Sequence, residues 1–135
     1  MGKLQEFFMQ GTAAEPVTAE VAVAGLPHPF LVQSIDQDEN TAIKRSCQKV
    51  AFDKRTHQKT TEIDQDMYNL RLVAACCVDP NSKDADLQKQ YGVMGAEALI
   101  GKVLKPGQFI DLLIGVQEVN GFAEDPNELR DEAKN

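Results

Sequence analysis

The stretch Asp64-Gln65-Asp66-Met67-Tyr68-Asn69-Leu70-Arg71-Leu72-Val73-Ala74-Ala75-Cys76-Cys77-Val78-Asp79-Pro80-Asn81 decides how the rest of the chain is read. Met67, Leu70, Ala74 and Cys77 recur at the spacing of one helix face, while Leu72, Val73, Ala75, Cys76 and Val78 fill the other faces. A helix that is apolar nearly all round belongs at the centre of a core. The spacing therefore predicts a long buried helix from Asp64 to Val78, stopped by Asp79-Pro80-Asn81.

Upstream, Val17, Ala19, Val21 and Val23 alternate with Thr18, Glu20 and Ala22, and Phe30-Leu31-Val32 follows a Gly25-Leu26-Pro27-His28-Pro29 connection. That is the pattern of a β-hairpin. Asp36 with Glu39 forms a capping-box pattern opening a helix through about Cys47, with Ala42, Ile43 and Cys47 toward the core. Val50-Ala51-Phe52 starts a second hairpin, which turns at Asp53-Lys54-Arg55 and returns from Gln58 to Ile63. Downstream, Asn81 or Ser82 is placed to cap a short helix carrying Ala85 and Leu87 and ending near Tyr91-Gly92. A helix from about Ala96 gathers Leu99, Ile100, Val103 and Leu104 before Pro106-Gly107. A last core helix gathers Phe109, Leu112, Leu113 and Val116 and stops at Asn120-Gly121. The expected class is α+β, a small antiparallel β-hairpin region near the N-terminus followed by a mainly helical C-terminal part.

Both ends differ from this middle. Residues 1–16 read as a flexible segment with a short amphipathic helix, 17–122 as a single globular domain, and 123–135 as an exposed acidic helix or tail. Leu4, Phe7 and Phe8 share one helical face, and two fates are open for it: folding back onto the domain, or docking on another molecule. At the other end Asp125 can cap, Pro126 suits the first helical position and Glu128 completes a capping box. Yet only Leu129 and Ala133 form a stripe there, and so short a helix is marginal in water without a partner. Leu4, Phe7, Phe8, Leu129 and Ala133 are accordingly the candidate partner-binding residues.

Composition narrows the function classes. With 135 residues and a net charge of -7, the chain is one domain whose overall field repels nucleic acid. It has no apolar run long enough to span a bilayer, and Met1-Gly2-Lys3-Leu4 does not begin a signal peptide, so a cytoplasmic location is expected. The charge is uneven. Lys44, Arg45, Lys49, Lys54, Arg55 and Lys59, with Asp53 as the single acid among them, give residues 44–59 a net +5 and leave -12 elsewhere. The simpler reading is a solvated basic loop; the sharper one is a patch that meets the acidic C-terminal segment of a neighbouring copy.

Chemistry-bearing motifs are scarce. Cys47, Cys76 and Cys77 are an odd count with no Cys-x-x-Cys and no nearby histidine, so they read as buried structural thiols. Asp36-Gln37-Asp38-Glu39-Asn40 begins like a calcium loop, but Thr41 stands where the turn needs glycine and Cys47 where the bidentate glutamate belongs. His28 and His57 have no metal-ligand spacing, and glycine-rich phosphate loops and Gly-x-Ser-x-Gly are absent from the sequence. No catalytic residue, cofactor or metal ligand is assigned, and the expectation is a protein that works by binding protein.

The ordered set of segments resembles the XkdN-like tail assembly chaperones of phages and prophages in Gram-positive bacteria. The likeness runs from Leu4-x-x-Phe7-Phe8 through the hairpin and Asp36-x-x-Glu39 to Asp66-Met67-Tyr68 and the stretch from Leu72 to Asn81. It continues through Asp84-x-x-Leu87, Tyr91-Gly92-Val93, Leu104-x-Pro106-Gly107, Val119-Asn120-Gly121-Phe122 and Ala133-Lys134-Asn135. The resemblance implies a non-enzymatic chaperone that coats the tape measure protein, recruits major tail protein during polymerisation and is absent from the mature virion. Beside that family, Ala133-Lys134-Asn135 can be encoded by a slippery A-rich run, the expected junction for a longer product made by -1 frameshifting. A head-to-tail connector of the virion and an acidic inhibitor that mimics nucleic acid are the alternatives.

Overall fold

The computed structural model describes residues 2–122. Six helices and five strands appear among them. Helix α1 spans Lys3–Met9, and a 3-10 turn follows at Thr12–Ala14. Strands β1 (Thr18–Val21) and β2 (Phe30–Gln33) pair antiparallel, with Val21 opposite Phe30 and Thr18 opposite Gln33. Helix α2 (Gln37–Ser46) begins where expected, because the Asp36 carboxylate accepts a hydrogen bond from the Glu39 amide at 2.8 Å. The second hairpin is also as expected: β3 (Gln48–Asp53) and β4 (Gln58–Ile63) form a two-stranded sheet of their own.

The decisive helix is shorter than its apolar run. Helix α3 covers Gln65–Cys76, and Cys77–Asp79 leaves it to become strand β5, which pairs antiparallel with β2. The expected continuation through Val78 is thus corrected. Two forces favour the strand: a residue before proline is disfavoured in the helical region, and β2 offers an edge whose backbone groups need partners. The resulting three-stranded sheet has the order β1-β2-β5, so the middle of the chain completes an N-terminal hairpin.

Three helices close the fold: α4 (Ala85–Gln90), α5 (Ala96–Val103) and α6 (Pro106–Val119). The expected cap of α4 at Asn81 or Ser82 is corrected to Asp84, whose carboxylate accepts from the Leu87 amide at 2.8 Å. Ser82 is buried instead, its hydroxyl donating to the Ala74 carbonyl at 2.7 Å near the end of α3. A buried hydroxyl with that partner satisfies a helix-end acceptor, so its job is internal. Pro106 opens α6 at its first position, where its missing N–H costs nothing.

The core lies between the sheet and α3, α5 and α6. Val32, Leu72, Val73, Cys76, Ile100, Leu112 and Val116 are essentially excluded from solvent. Gly115 lets α6 approach β1 closely: a Cβ there would meet the Val21 side chain, with Cγ1 only 2.6 Å away. Ala42 does not join this core as expected; it is exposed, while its neighbour Ile43 is half-buried and Cys47 fully so. The physical reason lies across the helix, where Asn40 turns inward and accepts a hydrogen bond from the buried Tyr68 hydroxyl.

Candidate partner-binding surfaces

All three cysteines are free and buried. Burial pushes the thiols of Cys76 and Cys77 up, that of Cys77 to about 12. Such groups are protonated at neutral pH and inert as nucleophiles. Tyr68 is likewise pushed up, first by burial and then by Cys76 and Cys47. Its phenol therefore acts as a neutral donor to Asn40. No group of three or more His, Cys, Asp or Glu among the described residues is placed to hold a metal.

What the fold offers instead is exposed apolar surface at specific places. Leu4, Phe7 and Phe8 lie on α1 with 66%, 47% and 58% of their surface accessible, and Met9 next to them has 73%. The two phenylalanine rings sit 5.7 Å apart in a tilted arrangement. Helix α1 has no buried residue, so its apolar face is presented rather than packed. Leu129 and Ala133, the other candidates, lie outside the described residues, as does the expected C-terminal helix.

The β3–β4 ribbon is the second such place. Side chains alternate across its two faces, so Val50 and Phe52 share a face with Ile63, Thr61 and Lys59 of the partner strand. Val50 is 70% accessible and Phe52 54%, and of the twelve strand residues Ala51 alone is half-buried. The turn brings Lys54 and Arg55 to the tip, held by the Asp53 carboxylate accepting from the Arg55 amide at 2.8 Å. The period-two placing of Val50 and Phe52 was present in the sequence, where the segment reads as a hairpin and as a basic stretch but not as an exposed apolar face.

A third feature is an apolar cleft of about 420 Å³ lined by Leu26, Phe30, Pro80, Leu87, Tyr91 and Leu104. The loop after β1, the β5–α4 connection, α4 and the end of α5 supply its walls. Arg71 ties three helices together, donating to the Ser46 carbonyl at 2.7 Å and pairing with Glu97 at 3.1 Å. Asn120 links the end of α6 to the β2–α2 connection, accepting from the Ile35 amide at 2.9 Å and donating to the Val116 carbonyl at 2.8 Å. These polar groups are engaged in holding the fold together.

Residues 4–134 match the family described as phage XkdN-like tail assembly chaperone protein. The chain belongs to that family. The family is one of chaperones and is non-enzymatic. Among relatives of this chaperone family, the Bacillus subtilis (strain 168) protein YqbN is 26% identical over 144 residues, covering 96% of this chain and 91% of YqbN. The phage-like element PBSX protein XkdN of the same strain is 24% identical over 144 residues, covering 96% and 92%. The crystal structure of YqbN superposes with a TM-score of 0.68 at 22% identity over 87% of this chain and 95% of YqbN, which establishes the shared fold. Among the described residues no helix is long and apolar enough to cross a membrane.

Proposed function

We propose that this family member is a cytoplasmic chaperone of the phage tape measure protein, holding it until major tail protein assembles around it. The observation that carries this reading is the uncovered apolar face of α1, with Leu4, Phe7 and Phe8 all exposed in a chain of the tail assembly chaperone family. A long helical client offers apolar stripes along its length, and a short amphipathic helix docks on such a stripe through residues spaced i, i+3, i+4. Leu129 and Ala133 are proposed to add a second contact of the same kind. Acidic charge over the rest of the chaperone keeps the coated client dispersed, and binding is reversible because each contact is small.

Co-expression with the tape measure protein tests the proposal. The client is expected to become soluble and to co-purify, whereas the triple substitution Leu4→Ser, Phe7→Ser, Phe8→Ser loses capture while thermal unfolding stays unchanged. A client that remains insoluble beside the wild-type chain defeats the chaperone reading. Capture that survives the triple substitution defeats only the assignment of α1. A longer product made by -1 frameshifting at the Ala133-Lys134-Asn135 codons belongs to the same proposal. An affinity tag placed in the -1 frame after those codons reads it directly: no tagged product means no frameshift.

A further inference from the structure

Both ends of the described chain leave the body at one place. Val17 pairs with Ser34 twice, its amide donating to the Ser34 hydroxyl and its carbonyl accepting from the Ser34 amide, each at 2.8 Å. The next amide, that of Ile35, donates to the Asn120 side chain at 2.9 Å. Neighbouring backbones joined in this way lie roughly 5 Å apart, so the two anchors stand about 10 Å from each other, the spacing of two packed helices. From Val17 the chain runs back to α1 through residues that are all exposed. From Asn120 it turns at Gly121, whose φ is 78°, and passes Phe122 toward residues 123–135. The two arms also match in length. Phe8 and Leu4 stand nine and thirteen residues before Val17, and Leu129 and Ala133 stand nine and thirteen residues after Asn120.

We propose that residues 123–135 fold back on α1 of the same chain, laying Leu129 against Phe7 and Phe8 and Ala133 against Leu4. Each arm is too short to hold an apolar stripe unaided: α1 has seven residues and buries none, and the C-terminal stripe is Leu129 and Ala133 alone. Tethered side by side, the arms meet at an effective concentration on the order of millimolar, so a small apolar contact is enough to close them. They run in opposite chain directions, as the two helices of a hairpin do. Closure withholds the α1 face from chance apolar surfaces, and a client with a longer apolar stripe opens it by displacing Leu129 and Ala133. It regulates the contact proposed above but does not rest on it, being a property of one chain alone.

Disulfide trapping in the full-length protein tests the closure, with Cys47, Cys76 and Cys77 buried and out of reach. Leu4→Cys with Ala133→Cys puts thiols on the facing sides, whereas Glu6→Cys with Ala133→Cys puts one on the far side of α1. Under a mild oxidant the first pair is expected to close about tenfold faster than the second, because a disulfide needs its Cα atoms within about 7 Å. The rate is expected to be independent of dilution and the product to remain a single chain. Adding Phe8→Ser and Leu129→Ser to the first pair is expected to slow it by about tenfold. Amide exchange reads the same contact without engineered thiols: Leu129→Ser should speed exchange at residues 3–9 by about threefold or more while thermal unfolding stays unchanged. Equal closing rates for the two pairs overturn the proposal, as does a rate indifferent to Phe8→Ser and Leu129→Ser. A disulfide that joins two chains and is lost on dilution overturns it too, since the arms then meet between copies. Exchange at residues 3–9 that ignores Leu129→Ser does the same.

Discussion

Val73 and Val50 are the same amino acid in two different regions. The first, in α3, is completely buried; the second, in the β3–β4 ribbon, is 70% accessible. Helix α3 has α2, α5 and α6 around it, so nearly every face is covered and apolar residues all round are what its position requires. Among the described residues the ribbon is a sheet of two strands, of which Ala51 alone is half-buried. An apolar side chain in α3 contributes to folding through burial, while the same side chain on the ribbon stays exposed and contributes little. The stabilising burial of apolar side chains is therefore concentrated in α3 and its neighbours and kept apart from the ribbon.

Substitutions in the two regions put that separation under strain. The largest expected effect is in the body: Leu112→Ala removes a fully buried side chain and should lower the unfolding free energy by about 2–5 kcal/mol. Phe52→Ala should change it by no more than about 0.5 kcal/mol. Urea unfolding of both proteins measures this, and equal losses would show that the ribbon is part of the cooperative core. Next is Gly115→Ala, whose added methyl collides with Val21 and should cost about 1–3 kcal/mol in the same assay. Tyr68→Phe strands the buried Asn40 amide oxygen and should cost roughly 1–3 kcal/mol. Pairing it with Asn40→Ala in a double-mutant cycle should give strongly non-additive losses.

Smaller effects belong to the ribbon turn and the thiols. His57 has a positive φ of 57°, a conformation that glycine adopts freely, so His57→Gly should stabilise the turn by up to about 1 kcal/mol. The gain should be visible as slower amide exchange in β3 and β4 with little change in global unfolding. At neutral pH the buried thiols should resist modification by a disulfide reagent until the body unfolds. Cys77 titrates near 12 in the folded chain against an ordinary 9.0, so the folded state holds its proton longer than the unfolded one. Its contribution to stability is then complete below about pH 9 and lost as pH rises toward 12, read as an alkaline fall in the melting temperature.

Local signals survived into the structure wherever a few neighbouring residues control the outcome. Asp36 and Glu39 opened α2, Asp64 capped α3 by accepting from the Met67 amide at 3.1 Å, and Gly121 took the left-handed conformation expected beyond α6. Both hairpins followed from period-two patterning. The α1 face was legible for the same reason, since Leu4, Phe7 and Phe8 need only helical spacing to converge. Cys77 and Val78 were misread because their spacing suits a helix as well as a strand, and the arbiter was β2, more than forty residues away. The inward turn of Asn40 was equally hidden, because a polar residue is buried only when a partner such as Tyr68 arrives from another element.

By itself the sequence determined the α+β class, the order of its helices and hairpins, the buried character of α3 and the resemblance that the family match bears out. All of these depend on residues close together in the chain or on the order of segments along it. Only the tertiary structure decided that β5 completes the first sheet, that Asp84 rather than Asn81 or Ser82 caps α4, and that the second hairpin carries Val50 and Phe52 uncovered. Each of those outcomes depends on whether a distant element arrives to pair with, cover or satisfy a group. Periodicity states what a segment can bury, and the packing of the whole chain decides what is left exposed to bind.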